Sequence, residues 1–196
     1  MSDSCNEITT VKSAGQVWMD RNLSASRAAG SVSDSIAYGW LYQWGRPADG
    51  HESCTSPTTT TPSGGDVPGH GSFITTDSEP YDWRSTQNDN LWQGVSGVNN
   101  PCPAGCRVPT ETEWETERAS WSSNNSAGAF ASPLKLVVAG YRYLSNGAVN
   151  LAGSFGNYWG STVYGGYARS LYFISGVAGM YSFSRAYGFS VRCLKD

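Results

Sequence analysis

The chain predicts a loop-rich globular domain built from two helices and several short strands. Three observations carry that expectation. Charged residues fill only 15% of the 196 positions, while glycine (23), tyrosine (11) and tryptophan (8) are abundant; this suits neither a helical bundle nor a disordered chain. Apolar runs are short and broken by turn formers. One helix start among them is strongly capped. At this length a single domain with a proper core is expected over residues 1–196.

In chain order, Gln16-Val17-Trp18-Met19 alternates in the manner of a short strand. Asp34 is a good N-cap, and a helix running from it through Ile36, Leu41 and Trp44 would stop at Gly45. Residues 53–72, with four consecutive threonines and three prolines, read as a long irregular loop, mobile, functional or a plain surface excursion. Asp82-Trp83-Arg84 and Gln87-Asn88-Asp89-Asn90-Leu91-Trp92 set amides and carboxylates among indoles. Two readings stay open there: a Ca²⁺ site built from hard oxygens, although no ligand spacing repeats, or a polar network bracing irregular backbone. The second helix has the clearest signal. Thr110-Glu111-Thr112-Glu113 after Pro109 is a capping box with an acidic first turn, and Trp114 is its apolar anchor. From Leu134 the chain reads as short strands, Lys135 to Ala139, Tyr141 to Leu144 and Val149 to Leu151, with a Ser145-Asn146-Gly147 turn.

The net charge of −3 is unevenly spread. Residues 1–117 hold fifteen acids and six bases; residues 118–196 hold Asp196 and seven bases. The expected cause is pairing of Arg142, Arg169, Arg185 and Arg192 with acids of the first half, rather than an anionic partner, so nucleic acid is not expected. No apolar stretch is long enough for a membrane span, so no membrane insertion is expected. Met1-Ser2-Asp3-Ser4-Cys5 lacks the basic and apolar regions of a signal peptide. Either a leader is missing from this sequence, or the protein leaves its cell by another route, such as assembly into a virus particle. Cys102-Pro-Ala-Gly-Cys106 lacks the spacing and partners of a metal knuckle, and His51 and His70 read as solvated loop residues, so no metal is expected. A disulfide between Cys102 and Cys193 is one candidate in an oxidising compartment, with the connectivity of the five cysteines left open.

The C-terminal stretch from Tyr158 to Cys193 has an unusual alphabet. Its framework is Tyr158-Trp159, Ser161-Thr162-Val163, Ala168-Arg169, Leu171, Phe173, Met180, Arg185-Ala186 and Gly188-Phe189-Ser190-Val191-Arg192-Cys193. Interleaved are Tyr164, Gly166, Tyr167, Ser170, Tyr172, Ile174, Ser175, Gly176, Val177, Gly179, Tyr181, Ser182, Phe183, Ser184 and Tyr187. None of these is Lys, Glu, Gln, Trp or Met, and an Asn codon randomised at its two adenines yields the whole set. This pattern resembles the variable region of proteins diversified by diversity-generating retroelements, in which adenine-specific mutagenesis rewrites such codons at the 3′ end of a gene. Tyr158-Trp159-Gly160-Ser161-Thr162 opens the region as that resemblance implies, except that Gly160 stands where Ser is usual. Arg107-Val108-Pro109-Thr110-Glu111-Thr112-Glu113-Trp114-Glu115 and Gly188-Phe189-Ser190-Val191-Arg192-Cys193 are in turn similar to motifs of the formylglycine-generating-enzyme branch of the C-type lectin fold. The fold so implied is α+β: two helices around small, twisted antiparallel sheets, loop-rich, with the variable region at about 158–193.

Function follows from what the two resemblances supply and what the residues lack. Formylglycine-generating enzymes use two neighbouring C-terminal cysteines to bind copper; here Cys193 alone follows Cys106, so no enzyme, no catalytic residue and no cofactor are expected. Calcium-dependent lectins use Glu-Pro-Asn or Gln-Pro-Asp loops and a Trp-Asn-Asp strand, which are absent. In Ser170-Leu171-Tyr172-Phe173-Ile174, strand alternation sends Leu171 and Phe173 inward and Ser170, Tyr172 and Ile174 outward. Phe189, Val191 and Cys193 form another inward row. The outward set has paratope chemistry, in which tyrosine gives stiff contact area while Ser and Gly give adaptable space. Tyr164, Tyr167, Tyr172, Tyr181, Phe183 and Tyr187 are the expected anchors, gathered by the implied fold into one patch. The expectation is a non-enzymatic, hypervariable binder of a protein ligand on a cell or virus surface, itself exposed on a virion or cell. A formylglycine-generating-type homologue or a calcium-independent glycan binder is the alternative.

Overall fold

A computed structural model describes residues 4–196. The architecture is mixed α+β, with mostly small antiparallel sheets, two helices and much irregular backbone. The strands are β1 (Thr10–Ser13), β2 (Gln16–Met19), β3 (Tyr42–Gln43), β4 (Thr58–Thr59), β5 (Phe73–Ile74) and β6 (Cys106–Arg107). Helices α1 (Glu111–Ala119) and α2 (Ser126–Ala131) follow. The chain then forms β7 (Tyr141–Arg142), β8 (Val149–Asn150), β9 (Gly156–Tyr164), β10 (Tyr167–Phe173), β11 (Ala178–Ser184), β12 (Gly188–Phe189) and β13 (Leu194–Lys195).

The longest strands form a meander in the order β11-β10-β9, antiparallel throughout. One of its faces meets α1 and a core of Trp18, Trp114, Tyr158, Leu171 and Phe173. The other meets Trp44, Trp159, Ala168, Val191 and Phe189. The meander is thus buried on both sides along part of its length. The last strand, β13, lies between β2 and β6, so both ends of the described chain share one sheet in the order β1-β2-β13-β6. Two disulfides, Cys5–Cys106 and Cys102–Cys193, tie the same region.

The early strand and α1 lie where the sequence places them. Thr110 accepts the Glu113 amide while the Glu113 carboxylate accepts the Thr110 amide at 2.7 Å, and Trp114 is fully buried. The helix expected from Asp34 to Trp44 is instead one 3₁₀ turn, Ser35–Ala37. Asp34 does cap it, accepting from the Ile36 amide. Gly39 then adopts φ +67°, which ends the turn, and Tyr42–Gln43 pairs with Gly188–Phe189 as β3. The second helix is therefore α2, capped by Asn125, which accepts from the Ala127 and Gly128 amides.

Residues 53–72 are largely irregular, as expected, with one short parallel pairing of β4 to β5. Lys135–Ala139 is not in a ladder. The Lys135, Leu136 and Val138 amides bond to scattered backbone carbonyls, whereas the Val137 N–H donates to the Tyr158 hydroxyl at 2.9 Å, which donates to the Val137 carbonyl at 3.1 Å. His51 also departs from expectation, being fully buried, while His70 is exposed. Arg169 and Arg185 do meet acids of the first half, Glu111 and Asp89, both at 2.5 Å. Arg142 and Arg192 do not. Arg142 lies over the Phe73 ring at 4.1 Å and donates to the His51, Ser53 and Ser56 carbonyls. Arg192 donates to the Met19 and Leu134 carbonyls and to the Asn22 side chain, and complete burial lowers its pKa to about 10.

Candidate ligand-binding surface

The candidate surface is built on β9, β10 and β11, their two turns, and Tyr187. Of the framework residues, Tyr158, Trp159, Ser161, Ala168, Leu171, Phe173, Arg185, Ala186 and Gly188 through Cys193 are buried. Thr162, Val163, Arg169 and Met180 are half-buried. Of the fifteen interleaved residues, Ser170 alone is buried; Tyr164 is 68% exposed and Tyr181 45%. Ser170 corrects the alternation expected for Ser170–Ile174. Ser170 pairs with Trp159 and lies on the Ala168 face of β10, which a second core covers, so the outward side of this strand is not solvent there. Tyr172 and Ile174 are half-buried rather than fully outward.

Glycines divide the same way. A Cβ on Gly176 would meet open space, and on Gly166 or Gly179 only side-chain atoms of Gln87 or Tyr181, at 3.1 Å. On framework Gly188 it would meet Arg142 Cβ at 2.9 Å, Phe73 at 3.0 Å and the Leu41 carbonyl at 3.1 Å. Framework Gly160 is intermediate: a Cβ there would lie 3.2 Å from the Arg169 carbonyl.

The ring contacts of the expected anchors fall into two sets. Tyr164 and Tyr167 face each other across the β9–β10 turn, where the Arg169 guanidinium lies 5.9 Å from the Tyr164 ring. Tyr172, Tyr181, Phe183 and Tyr187 form the second group, joined edge-to-face through Tyr172–Tyr181 at 5.4 Å and Phe183–Tyr187 at 6.0 Å. Sequence reasoning missed Tyr141 and Phe155, from before the 158–193 stretch, and the part of Phe189 in continuing this group: Tyr141 packs on Tyr187 at 5.8 Å, Phe155 on Tyr172 at 5.6 Å, and Phe189 stacks on Tyr187 at 5.5 Å. Their placement depends on long-range contacts that no local pattern encodes. Burial raises the phenol pKa of Tyr172 and Tyr187, each also raised by neighbouring tyrosines, so both rings are neutral at physiological pH.

Between these rings lies a cavity of about 140 Å³, walled by Tyr141, Phe155, Tyr172, Phe183, Tyr187 and Phe189. Asn157 also lines it; that residue is 2% exposed, and its Nδ2 has no hydrogen-bond partner. Tyr172 and Phe183 also border a wider depression with Val177 and Tyr181, made wholly of interleaved residues.

The segment Asp82–Trp92 braces this surface from behind. Gln87 Nε2 donates to the Gly166 carbonyl at 2.8 Å and to Asp82 at 3.3 Å. Arg185, paired with Asp89, donates to the Gly165 carbonyl at 3.2 Å. Trp83 and Trp92 donate to the Trp44 and Arg46 carbonyls. The bracing reading of this segment therefore has its bonds in place. Burial raises the Asp82 pKa against the opposing backbone hydrogen bonds and Arg185.

Among the described residues, the group whose ligand atoms could converge on a metal is Asp49, His51 and Glu52. Its bonds are already committed. His51 Nε2 accepts the Gln43 amide at 3.0 Å, and Nδ1 faces Asp49 at 2.7 Å and Glu52 at 3.2 Å. Arg46 adds a pair to Asp49 at 2.8 Å. Hydrogen bonds from His51 and nearby donors outweigh burial and hold both carboxyls below their usual range. The cluster is a clamp on β3 and the irregular segment after it. Comparison of the chain with family models, curated proteins and solved structures returns no match.

Proposed function

We propose that this chain is a retroelement-diversified variable protein of C-type lectin type, a non-enzymatic binder that displays its interleaved residues to a protein on a cell or virus surface. The observation that carries this reading is the match between two independent partitions. The interleaved residues, all but Ser170, are exposed or half-buried, while the framework between them is buried except at half-buried Thr162, Val163, Arg169 and Met180. A surface subject to repeated replacement must leave the core untouched, and Gly176, open on all sides, and Gly166 and Gly179, whose neighbours are side-chain ends of Gln87 and Tyr181, meet that demand. The lectin-type fold is supported by two helices packed with small antiparallel sheets and by terminal strands side by side. A copper-oxidase reading is disfavoured by Cys193, which is buried and bonded to Cys102. The interleaved residues include no carboxylate, so binding should not need Ca²⁺.

Panning against cell-surface proteins tests the proposal. A target found this way should be held equally well with chelator present. Replacing Tyr164 and Tyr181 together by Ser should weaken it by at least about 2 kcal/mol, the scale of hot-spot residues. Affinity that withstands serine at all the interleaved tyrosines, yet vanishes with chelator, would move the site elsewhere and end this reading.

A further inference from the structure

The aromatic cavity of the second group differs from the rest of the surface. Its floor is buried, from framework Phe189 and from Asn157, which precedes the 158–193 stretch; its rim is interleaved, from Tyr172, Phe183 and Tyr187. Diversification would therefore change the rim and leave the floor intact. Three properties of the floor and walls define what fits.

The first is size. About 140 Å³ matches the roughly 150 Å³ of an apolar protein cavity that holds one benzene molecule. The second is wall chemistry. Phe183 stands edge-on to Phe189 with centroids 5.0 Å apart, and Tyr141 edge-on to Phe189 at 6.3 Å. Such a box offers both faces and edges to an inserted ring. The third is the amide. Asn157 lines the cavity, is buried, and has an unpartnered Nδ2, so its amide can pair with a bound group that both donates and accepts.

We infer that this cavity takes the side chain of a tyrosine presented by a protein partner, with its ring in the aromatic box and its phenolic oxygen on the Asn157 amide. A phenol both accepts and donates, so it satisfies either end of the amide. Leucine or phenylalanine would leave the amide unpaired. A quaternary ammonium would suit the rings but would set its charge beside an amide donor, with no carboxylate among the lining residues. A pyranose would bring several hydroxyls into walls that are mostly carbon. The inference rests on the binding function proposed above and adds the chemistry of one anchor point.

The test uses small probes on the intact, oxidised protein. Titration of p-cresol should give saturable shifts of the Asn157 side-chain amide in ¹⁵N-correlated spectra, that signal being identified by its loss in Asn157→Leu. Toluene should bind more weakly by about fivefold, the worth of one hydrogen bond. In Asn157→Leu the preference for p-cresol should disappear while ring binding persists. Should that variant fail to fold, Tyr172→Ser and Phe183→Ser should each weaken p-cresol with the Asn157 signal still present. Equal binding of p-cresol and toluene by the unaltered protein would overturn the inference. So would an unmoved Asn157 amide, or stronger binding of methyl β-galactoside or tetramethylammonium. These failures are separable from failure of the binding function, because a panned target that needs Tyr164 and Tyr181 but ignores p-cresol would leave that function standing.

Discussion

Neighbouring positions of one strand have opposite duties here. Leu171 and Phe173 are fully buried beside Tyr158 and Trp114, whereas Tyr167, six residues before Phe173, is 43% exposed. Tyr167→Ser and Tyr181→Ser should each change unfolding free energy by less than about 1 kcal/mol. Leu171→Ala and Phe173→Ala should each cost about 2–5 kcal/mol by leaving cavities. Tyr187, stacked on Phe189 and half-buried, should fall between. Denaturant titration of the five variants checks the order, and equal losses for Tyr181 and Leu171 would refute the division. Single residues were legible where alternation alone decides them, as for Leu171 and Phe173. Ser170 was not, because the face it shares with Ala168 is covered by a second core that only tertiary packing brings there. His51 was not either: its surroundings are polar in sequence, and only the fold brings the Gln43 amide to its ring.

At the scale of elements, the turn of the meander is free while β12, in the neighbouring sheet, is fixed. The β10–β11 turn carries Gly176 with nothing near its missing Cβ, while β12 carries Gly188 wedged among Arg142, Phe73 and Leu41. Gly176→Ala should be neutral within about 0.5 kcal/mol. Gly188→Ala should cost about 1–3 kcal/mol through overpacking. Thermal unfolding of the pair measures this, and a larger loss at Gly176 would contradict the description of that turn as free. Elements with strong local signals were readable, namely β2 from its alternation and α1 from its capping box. The helix expected after Asp34 failed because Gly39 takes a left-handed φ and the chain beyond it pairs with β12. The six-residue α2 gave only the weak cue of Asn125 before alanine-rich sequence. Two-residue strands such as β3 and β12 exist through tertiary pairing rather than propensity.

Across the whole molecule, the candidate binding face rests on a frame closed far from it in sequence. Cys102–Cys193 spans a separation of 91 residues and pins the end of the variable region to the middle of the chain. Loop-entropy arguments give such a bond about 4–5 kcal/mol. Reduction should therefore lower the melting temperature sharply. Before reduction, the exposed Cys54 should be the one alkylated thiol. Alkylation of Cys193 in the native, oxidised protein would contradict this frame. The division into frame and face was visible in the C-terminal alphabet, but the splitting of the anchors into two groups was not. That split arises because Tyr141, Phe155 and Phe189 gather Tyr172, Phe183 and Tyr187 around a cavity whose lining does not include Tyr164 and Tyr167. The central claim, that the frame folds regardless of what the face displays, is tested most directly by protease resistance of two displayed libraries. One is randomised at the interleaved positions other than Ser170, the other at an equal number of framework positions. Most members of the first should resist protease as the parent does, and few of the second should. Equal loss of resistance in both libraries would contradict the account.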